Sequence, residues 1–278
     1  MDQALDGWIG RTETLTDEMT RQAARRTAAL LDQPDDDLVD GAPVPQGWYA
    51  LLFGPLAPQA QIGPDGHPQK GDFLPPVPLP RRMFAGRRTT FHAPLRIGDA
   101  VERVSEIAKI EPKQGRSGAM TFVTVVHRLR ARGTLLVTEE QDIVYREAAR
   151  PGAPPAPPQQ PPAGAAWSRT VVPDPVMVFR YSALTYNGHR IHYDADYTRT
   201  VEGYPERVVN GGLTTLLLLE LARAKLDRPL ATVATRNLRP LFVDRPITLC
   251  GALREPGPEL WVVDADGALA LSASATLA

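Results

Sequence analysis

Short segments rich in β-branched residues, separated by turn residues, recur in both halves of the chain. In the first half this pattern predicts a strand at the start of Thr89–Val101, and further strands in VERVSEIAKI, GAMTFVTVVHRLRA and LLVTEEQDIVYRE. In the second half Thr235–Ile247 begins the same order, followed by TLCGAL, LWVVDAD and LALSASATL. In each half the first strand leads into Pro-Leu and then Asp. The repeated order predicts two similar units.

Helical segments are expected upstream of each set of strands. Gly211 to about Leu226 is apolar on nearly every face, so we expect a helix that is buried all round. Gly47–Gly54 predicts a shorter counterpart in the first half. An earlier helix is expected in TDEMTRQAARRTAALLD, with Thr16 as its N-cap and Asp17 and Glu18 in its first turn, where the helix dipole favours negative charge.

A proline-rich stretch, PGAPPAPPQQPP at residues 151–162, separates the two sets of strands. Such a stretch favours extended polyproline geometry and suits a solvated linker. We therefore predict a first unit at residues 1–150, a linker at 151–166 and a second unit at 167–278. A buried helix wrapped by a curled antiparallel sheet, made twice, is an α+β architecture.

Charge and composition limit the classes of binding partner and the compartment that we expect for this protein. The net charge is −1, from 31 basic and 32 acidic residues, so we expect no general attraction to nucleic acid or to an anionic membrane. Cys250 is the only cysteine, which excludes an internal disulfide and favours a reducing compartment. The N-terminus has no apolar run of signal length, and Glu220 and Arg223 interrupt the most apolar stretch. We expect a cytoplasmic protein with no membrane span.

The sequence lacks G-x-S-x-G, a phosphate-binding glycine loop, H-E-x-x-H and C-x-x-C, which removes several enzyme classes. What remains is NGHRIH, with Asn187, His189 and His192, and VVNGGL downstream of it. A helix that starts with Gly211 and Gly212 exposes backbone N–H groups, which can hold an oxyanion such as an enolate formed from a thioester. A histidine nearby would move the proton. We expect neither a metal nor a separate cofactor.

The segment ALTYNGHRIHYD resembles the signature of the MaoC-like, (R)-specific enoyl-CoA hydratases, a hotdog-fold family. The longer segment FRYSALTYNGHRIHYDADYTRTVEGYPERVVNGGLTTLLLLEL is similar to the mesaconyl-CoA and methylfumaryl-CoA hydratase branch, as is LPRRMFAGRRTTFHAPLRIGD in the first half. The resemblance implies a double hotdog that hydrates or dehydrates an acyl-CoA thioester, with coenzyme A bound as part of the substrate. A short, dicarboxylic acyl group such as mesaconyl is the expected substrate.

The resemblance also implies residue roles. His192 matches the catalytic histidine, Asn187 stands in place of the catalytic aspartate, and the Gly211 N–H is expected to polarise the thioester carbonyl. Asn187 cannot take a proton, so His192 would act as the only base while Asn187 orients the water. The family usually has His-Gly just before the helix, whereas this chain has Asn210 there and Gly212 after it.

Four further residues are assigned to substrate binding: Arg180, Tyr186, Arg190 and Gly212. The two arginines would pair with a free carboxylate of the acyl group. The four arginines of RRMFAGRR would meet the phosphates of coenzyme A, or else keep an edge strand soluble. A purely structural interpretation of NGHRIH also stays open. In it Asn187 is an ordinary turn residue, and His192 only forms hydrogen bonds with backbone groups of a turn.

The first half has no counterpart of the N-x-x-x-x-H motif, so we expect one active site per chain. Two other functions remain open. One is a hotdog thioesterase, for which Glu220 is the candidate acid, although a salt bridge with Arg223 or Lys225 is the simpler interpretation. The other is an acyl-thioester binding module without activity. A homodimer is compatible with all of these.

Overall fold

The computed structural model describes residues 3–69, 72–115, 118–147 and 157–278. Within these residues ten strands form a single antiparallel sheet. The strands are β1 (Thr12–Glu18), β2 (Arg81–Phe91), β3 (Ala100–Gly115), β4 (Gly118–Ala131), β5 (Thr134–Arg146), β6 (Trp167–Val171), β7 (Leu230–Asn237), β8 (Ile247–Leu253), β9 (Pro258–Val263) and β10 (Leu269–Leu277). Their order across the sheet is β1-β3-β4-β5-β2-β7-β10-β9-β8-β6.

The two halves of the chain occupy the two halves of this sheet. β2 pairs with β7, from Gly86 opposite Arg236 to Thr90 opposite Thr232, and this pairing joins them. All eight predicted strands are present, whereas β1 and β6 were not predicted. Part of the predicted linker lies outside the described residues, and its described part, 157–166, contains neither helix nor strand. The boundary between units at 151–166 stays a prediction.

Five α-helices accompany the sheet in the described part of the chain: α1 (Gln3–Asp6), α2 (Arg21–Leu30), α3 (Pro175–Leu184), α4 (Ala195–Thr200) and α5 (Gly211–Arg223). The predicted buried helix is confirmed as α5, in which every residue from Leu213 to Ala222 is buried. It packs against β8 and β9. None of the described helices is long and apolar enough to cross a lipid bilayer.

The helix predicted to start at Thr16 is wrong at its start. Thr12–Glu18 is the strand β1, which pairs with β3 along its whole length. The helix begins at Arg21, and Thr20 caps it by accepting a hydrogen bond from the Ala23 N–H at 3.1 Å. The threonines in TETLT are β-branched and favour a strand, and the free edge of β3 supplies the pairing that a local pattern does not show.

The predicted helix in Gly47–Gly54 is a four-residue 3-10 helix, Trp48–Leu51. Its Trp48 Nε1 donates a hydrogen bond to Glu220 Oε1 of α5 at 2.8 Å, so this turn is tied to the second half. The main apolar core surrounds α5 and reaches Trp48. A second cluster, which includes Ile107 and Val123, lies farther along β3 and β4. The first half therefore lacks a long central helix in this segment.

Candidate active site

The segment that carries Asn187 and His192 joins α3 to α4, and hydrogen bonds fix its path. The Asn187 N–H donates to Ser182 O at 2.8 Å. Asn187 Oδ1 accepts from the His189 N–H at 3.0 Å, which is the geometry of an Asx turn. A 3-10 helix at Arg190–His192 follows. The local sequence thus builds a rigid loop rather than a flexible one.

His192 is buried, with 8 % of its surface exposed, and its ring is oriented by the backbone. Its Nδ1 lies 2.7 Å from the carbonyl oxygen of Val208. Because a carbonyl only accepts, Nδ1 carries the proton and Nε2 is left as the basic nitrogen. Burial lowers the pKa of His192 to about 4, so the ring is neutral at pH 7. This is the protonation state that a general base requires.

Two further imidazoles lie beside His192. The ring centroid of His189 is 5.4 Å from that of His192, and the ring of His67 is 4.1 Å from that of His189. Burial, followed by the neighbouring His67 and His192, lowers the pKa of His189 to about 2. The ring of His189 therefore packs edge-on against the ring of the candidate base.

His67 comes from the first half and is held by Asp65. Its Nδ1 lies 3.1 Å from Asp65 Oδ2, and although burial opposes it, hydrogen bonding with His67 holds the pKa of Asp65 well below its usual range. The Arg190 N–H donates to Asp65 O at 2.9 Å. Gly66, at φ +88°, lies so close to Gly188 that an added Cβ would sit 1.9 Å from the Gly188 oxygen. Only glycine permits this contact between the two loops.

The oxyanion site predicted at the start of α5 is structurally available. Among the described residues no side chain caps the helix N-terminus, and Gly211 and Gly212 both face a large cleft. Gly212 is required by its neighbour, because a Cβ there would lie 2.2 Å from Tyr181 Oη. Asn210 is buried and donates from Nδ2 to Ser182 Oγ at 3.2 Å, which ties the start of α5 to α3.

A cleft of about 1500 Å³ runs between the two halves. It brings together the three candidate catalytic residues, the histidine cluster and the inner face of the first half. The lining includes Asp65, His67, Arg81, Arg82, Arg87, Arg103, His127, Gln141, Asn187, His189, His192, Tyr204, Gly211 and Gly212. His192, Asn187 and Gly211 therefore share one space, as expected.

Three of the predicted substrate-binding residues lie elsewhere. Arg180 is exposed on α3, and Tyr186 is 67 % exposed, and neither lines the cleft. Arg190 forms an ion pair with Asp194 at 2.7 Å, stacks over Tyr197 and donates to a backbone carbonyl. Its guanidinium is committed to holding the loop. Only Gly212 of the four faces the cleft.

The arginines of RRMFAGRR divide between two environments. They lie on β2, an interior strand between β5 and β7, so the expectation of an edge strand is wrong. Arg88 forms ion pairs with Glu140 and Asp142. Arg87 is partly buried and pairs with Glu139, and Arg81 and Arg82 line the cleft near Tyr204 and His189. The sequence prediction treated the four arginines as equivalent, whereas the alternation of the strand gives the consecutive Arg87 and Arg88 different partners.

Asp65 and His67 were not predicted as site residues. They lie in a proline- and glycine-rich loop far from NGHRIH in the chain, and the signal that marks them is the D-x-H spacing. Together with His189 they are the one group in the described part of the chain that could hold a metal ion, with ligand atoms within 4.8 Å of one another. The prediction that no metal or cofactor takes part stays a prediction.

Comparison with known proteins agrees with this geometry. Residues 47–243 match the family hydroxyacyl-thioester dehydratase type 2. The chain belongs to this family. It is 47 % identical to the mesaconyl-C(4)-CoA hydratase of Chloroflexus aurantiacus over 97 % of its own length and 96 % of that protein's. It is 26 % identical to the mitochondrial hydroxyacyl-thioester dehydratase type 2 of Schizosaccharomyces pombe, over 78 % of this chain and 79 % of that one.

Solved structures show the same fold at low sequence identity. A MaoC-like dehydratase from Phytophthora capsici matches with a TM-score of 0.71 at 14 % identity, over 97 % of this chain and 95 % of that one. A Mycobacterium tuberculosis protein described as a double hotdog matches with a TM-score of 0.63 at 12 % identity, over 96 % and 95 % of the two chains. The double hotdog is confirmed. This member of the dehydratase family is a hydro-lyase that acts on acyl thioesters.

Proposed function

We propose that the enzyme adds water to a short α,β-unsaturated acyl-CoA that carries a free carboxylate, and that His192 is its base. The observation that supports this most directly is the 2.7 Å hydrogen bond from His192 Nδ1 to Val208 O. It fixes the tautomer and leaves a neutral Nε2 beside the open start of α5. A base and an oxyanion site in one cleft are the two parts that hydration requires.

The thioester carbonyl is placed at the N-terminus of α5. The first N–H groups of a helix have no intrahelical partner, and Gly211 and Gly212 carry no side chain that would block them. As water adds to the β-carbon, negative charge moves to the thioester oxygen. One backbone donor of this kind contributes roughly 10²–10³ in rate.

The proton steps then use a single imidazole. His192 Nε2 takes a proton from water, the hydroxide attacks the β-carbon, and the enolate takes the same proton from His192 at its α-carbon. Water is consumed, no other reactant is needed, and both additions occur on one face. This predicts syn addition.

Asn187 holds the water rather than activating it. Its Oδ1 is occupied by the His189 N–H, so the amide NH₂ is the part of Asn187 available to the cleft. An NH₂ group donates to the water oxygen and leaves a water proton free for His192. An asparagine at this position is therefore compatible with a one-base mechanism.

A mesaconyl-type acyl group is the proposed substrate class, with coenzyme A as carrier. The relative from Chloroflexus aurantiacus, at 47 % identity over nearly the whole chain, supports it. Arg81 and Arg82 at the cleft supply positive charge suited to the phosphates of coenzyme A. The cytoplasmic location and the homodimer stay predictions.

The thioesterase alternative loses its candidate acid. Glu220 is 4 % exposed and accepts hydrogen bonds from Trp48 at 2.8 Å, Gln33 at 2.7 Å and Arg223 at 2.5 Å. The ion pair with Arg223 agrees with the simpler sequence interpretation. A carboxylate bound on three sides within the core has a structural role, and it is not one of the residues that line the cleft.

One assay separates the three functions. Mesaconyl-CoA, crotonyl-CoA and a longer enoyl-CoA are incubated with the protein, and mass is followed together with free thiol. We expect a gain of one water for the short substrates without thiol release. Thiol release would indicate a thioesterase, and binding without any change in mass or ultraviolet enoyl absorbance would indicate a binding module; either result contradicts the proposal.

A further inference from the structure

Polar side chains interrupt the apolar inner face of the first half. Strand pairing sets Thr89 opposite Glu139, Glu139 opposite His127, and His127 opposite Ser105, so that one row crosses β2, β5, β4 and β3. All four residues are buried. On β4 the neighbouring inward positions, Val125 and Leu129, are apolar, whereas β2, β5 and β3 each carry one more polar residue at a neighbouring inward position. We call this set, together with Arg87, Gln141 and Arg103, the polar row.

Most residues of the polar row form hydrogen bonds. Glu139 accepts from Gln141 Nε2 at 2.5 Å and from the Tyr49 hydroxyl, and Arg87 Nη1 lies 3.3 Å from its Oε2. His127 Nδ1 is bonded to Ser105 Oγ at 2.8 Å. Burial lowers the pKa of His127 to about 4, so this ring is neutral at pH 7. Glu139 is therefore balanced by Arg87.

Arg103 is the charge that remains. No described carboxylate lies within ion-pair distance of its guanidinium, and its Nε is buried without a hydrogen-bond partner. Glu13 lines the same cleft and, with Glu139 and Asp17, acts on Arg103 electrostatically without forming an ion pair with it. The polar row therefore contains two guanidiniums and one carboxylate, Glu139, which pairs with Arg87 and not with Arg103. Burying a cation without an anion is costly, so the pocket is suited to an anionic ligand.

The position of Arg103 relates this charge to the reaction site. Its guanidinium carbon lies 4.5 Å from the ring centroid of Phe53. The next residue, Gly54, packs so closely on the catalytic loop that an added Cβ would be 2.9 Å from Thr185 O and from Tyr186 Cβ. Asn187 follows directly. Arg103 and Asn187 both line the cleft, on neighbouring parts of its wall.

We propose that Arg103, supported by Arg87, forms the subsite that binds the free carboxylate of a dicarboxylic acyl group. This rests on the proposed function, in which the thioester is bound at α5 and the acyl group points into the cleft. A guanidinium binds a planar carboxylate through two parallel N–H donors. We assign the acyl carboxylate to Arg103 and the phosphates of coenzyme A to Arg81 and Arg82, which line the same cleft near Tyr204 and His189.

The first experiment measures binding without turnover. Succinyl-CoA and butyryl-CoA have the same four-carbon chain and no double bond to hydrate, and differ in the terminal carboxylate. We expect titration calorimetry to show that the wild-type enzyme binds succinyl-CoA about 100-fold more tightly, the size typical of a buried charge pair. Equal affinities within about threefold would overturn the subsite.

Single substitutions then test which arginine causes the preference for succinyl-CoA over butyryl-CoA. R103Q is expected to reduce it to about threefold or less, and R103K, which keeps the charge but not the planar fork, to about tenfold. R128Q is the matched control, since Arg128 lies on the adjacent strand with an outward ion pair to Glu106 at 3.0 Å. It should keep the full preference. An R103Q protein that folds and keeps the preference would overturn the assignment, and if R103Q does not fold, R103K decides.

Turnover separates this proposal from the one on which it depends. The ratio of kcat/KM for mesaconyl-CoA over crotonyl-CoA should fall about 100-fold in R103Q relative to wild type. An equal loss on both substrates contradicts the subsite and indicates a structural role for Arg103. An enzyme that hydrates neither substrate contradicts the proposed function, while the succinyl-CoA preference still reports on the subsite.

Discussion

The two halves of the sheet enclose different contents. In the second half β8 and β9 pack on α5, an apolar helix buried from Leu213 to Ala222. In the first half the same kind of curled sheet carries the short turn Trp48–Leu51 and the polar row. The half with the long helix supplies the candidate oxyanion site and most of the main core. The half without it supplies a cavity wall with charged groups.

A repeated fold can divide the parts of an active site between its two copies. Each half has one buried histidine with a pKa of about 4 and an Nδ1 held by a hydrogen bond, His192 in the second half and His127 in the first. His192 lines the cleft together with Gly211 at the start of α5, whereas His127 lies in the polar row. Because the two histidines have similar environments but different neighbours, substituting each in turn tests whether the two halves differ in function.

The largest effect is expected when His192 is removed. His192→Ala should lower kcat by about 10²–10⁴, because general acid–base catalysis contributes this much. His127→Ala should lower kcat less than about tenfold, since the general base remains. Both are measured by steady-state kinetics on mesaconyl-CoA, with circular dichroism to confirm folding. Equal losses in the two variants would remove the functional difference between the halves.

The next effect tests how the two halves are joined. Glu220→Ala removes the acceptor of the buried Trp48 Nε1 and should lower the free energy of unfolding by about 2–3 kcal/mol, the cost of an unsatisfied buried donor. Glu220→Gln keeps an acceptor oxygen, so we expect about half that loss. Urea denaturation measures both. An unchanged midpoint for the alanine variant would show that this contact does not couple the halves.

A smaller effect is expected from the two glycines of α5. Gly212→Ala would place a methyl group 2.2 Å from Tyr181 Oη, so the helix start must shift, at a cost of about 1–2 kcal/mol in stability. A Cβ at Gly211 would meet nothing closer than Asn237 at 3.8 Å. Thermal unfolding should therefore rank Gly212→Ala below Gly211→Ala. The reverse order would contradict the packing of Tyr181 on the helix.

The smallest effect concerns pH. Burial lowers the pKa of His192 to about 4, and the base must be neutral to act, so activity is lost as the pH falls through the folded value and not before. At pH 5.5 kcat/KM should stay near its maximum, whereas an ordinary histidine with pKa about 6.5 would have lost about tenfold. An acid limb centred near pH 6.5 in the kcat/KM profile would place His192 in solvent instead.

The polar row of the first half could have been predicted from the sequence. On β3 the inward positions are Val101, Arg103, Ser105 and Ile107, and polar residues in phase with apolar ones indicate a buried polar group. The same phase places His127 on β4. The strands were predicted, but the polar residues within them were treated as ordinary members of a β-branched run.

Other features depended on contacts that no local pattern contains. β1 is a strand because the edge of β3 is free to pair with it, and α3 begins where Asp174 caps it, neither of which the hydrophobic pattern distinguished. Arg190 looked like a carboxylate ligand until Asp194 occupied it. In each case the role of a segment or side chain depends on the residue that it contacts, and the tertiary fold determines which residues are in contact.

Eight of the ten strands, the buried helix and the motif NGHRIH followed from the amino-acid sequence alone, because alternation, apolar periodicity and motif spacing are local properties of the chain. Only the tertiary structure decided which side chains meet. His67 reaches His189 because Gly66 packs on Gly188, and Arg103 lines the same cleft as His192 because β2 pairs with β7 and joins the two halves. These contacts join residues distant in sequence, and their energies exist only once the sheet has closed around the cleft.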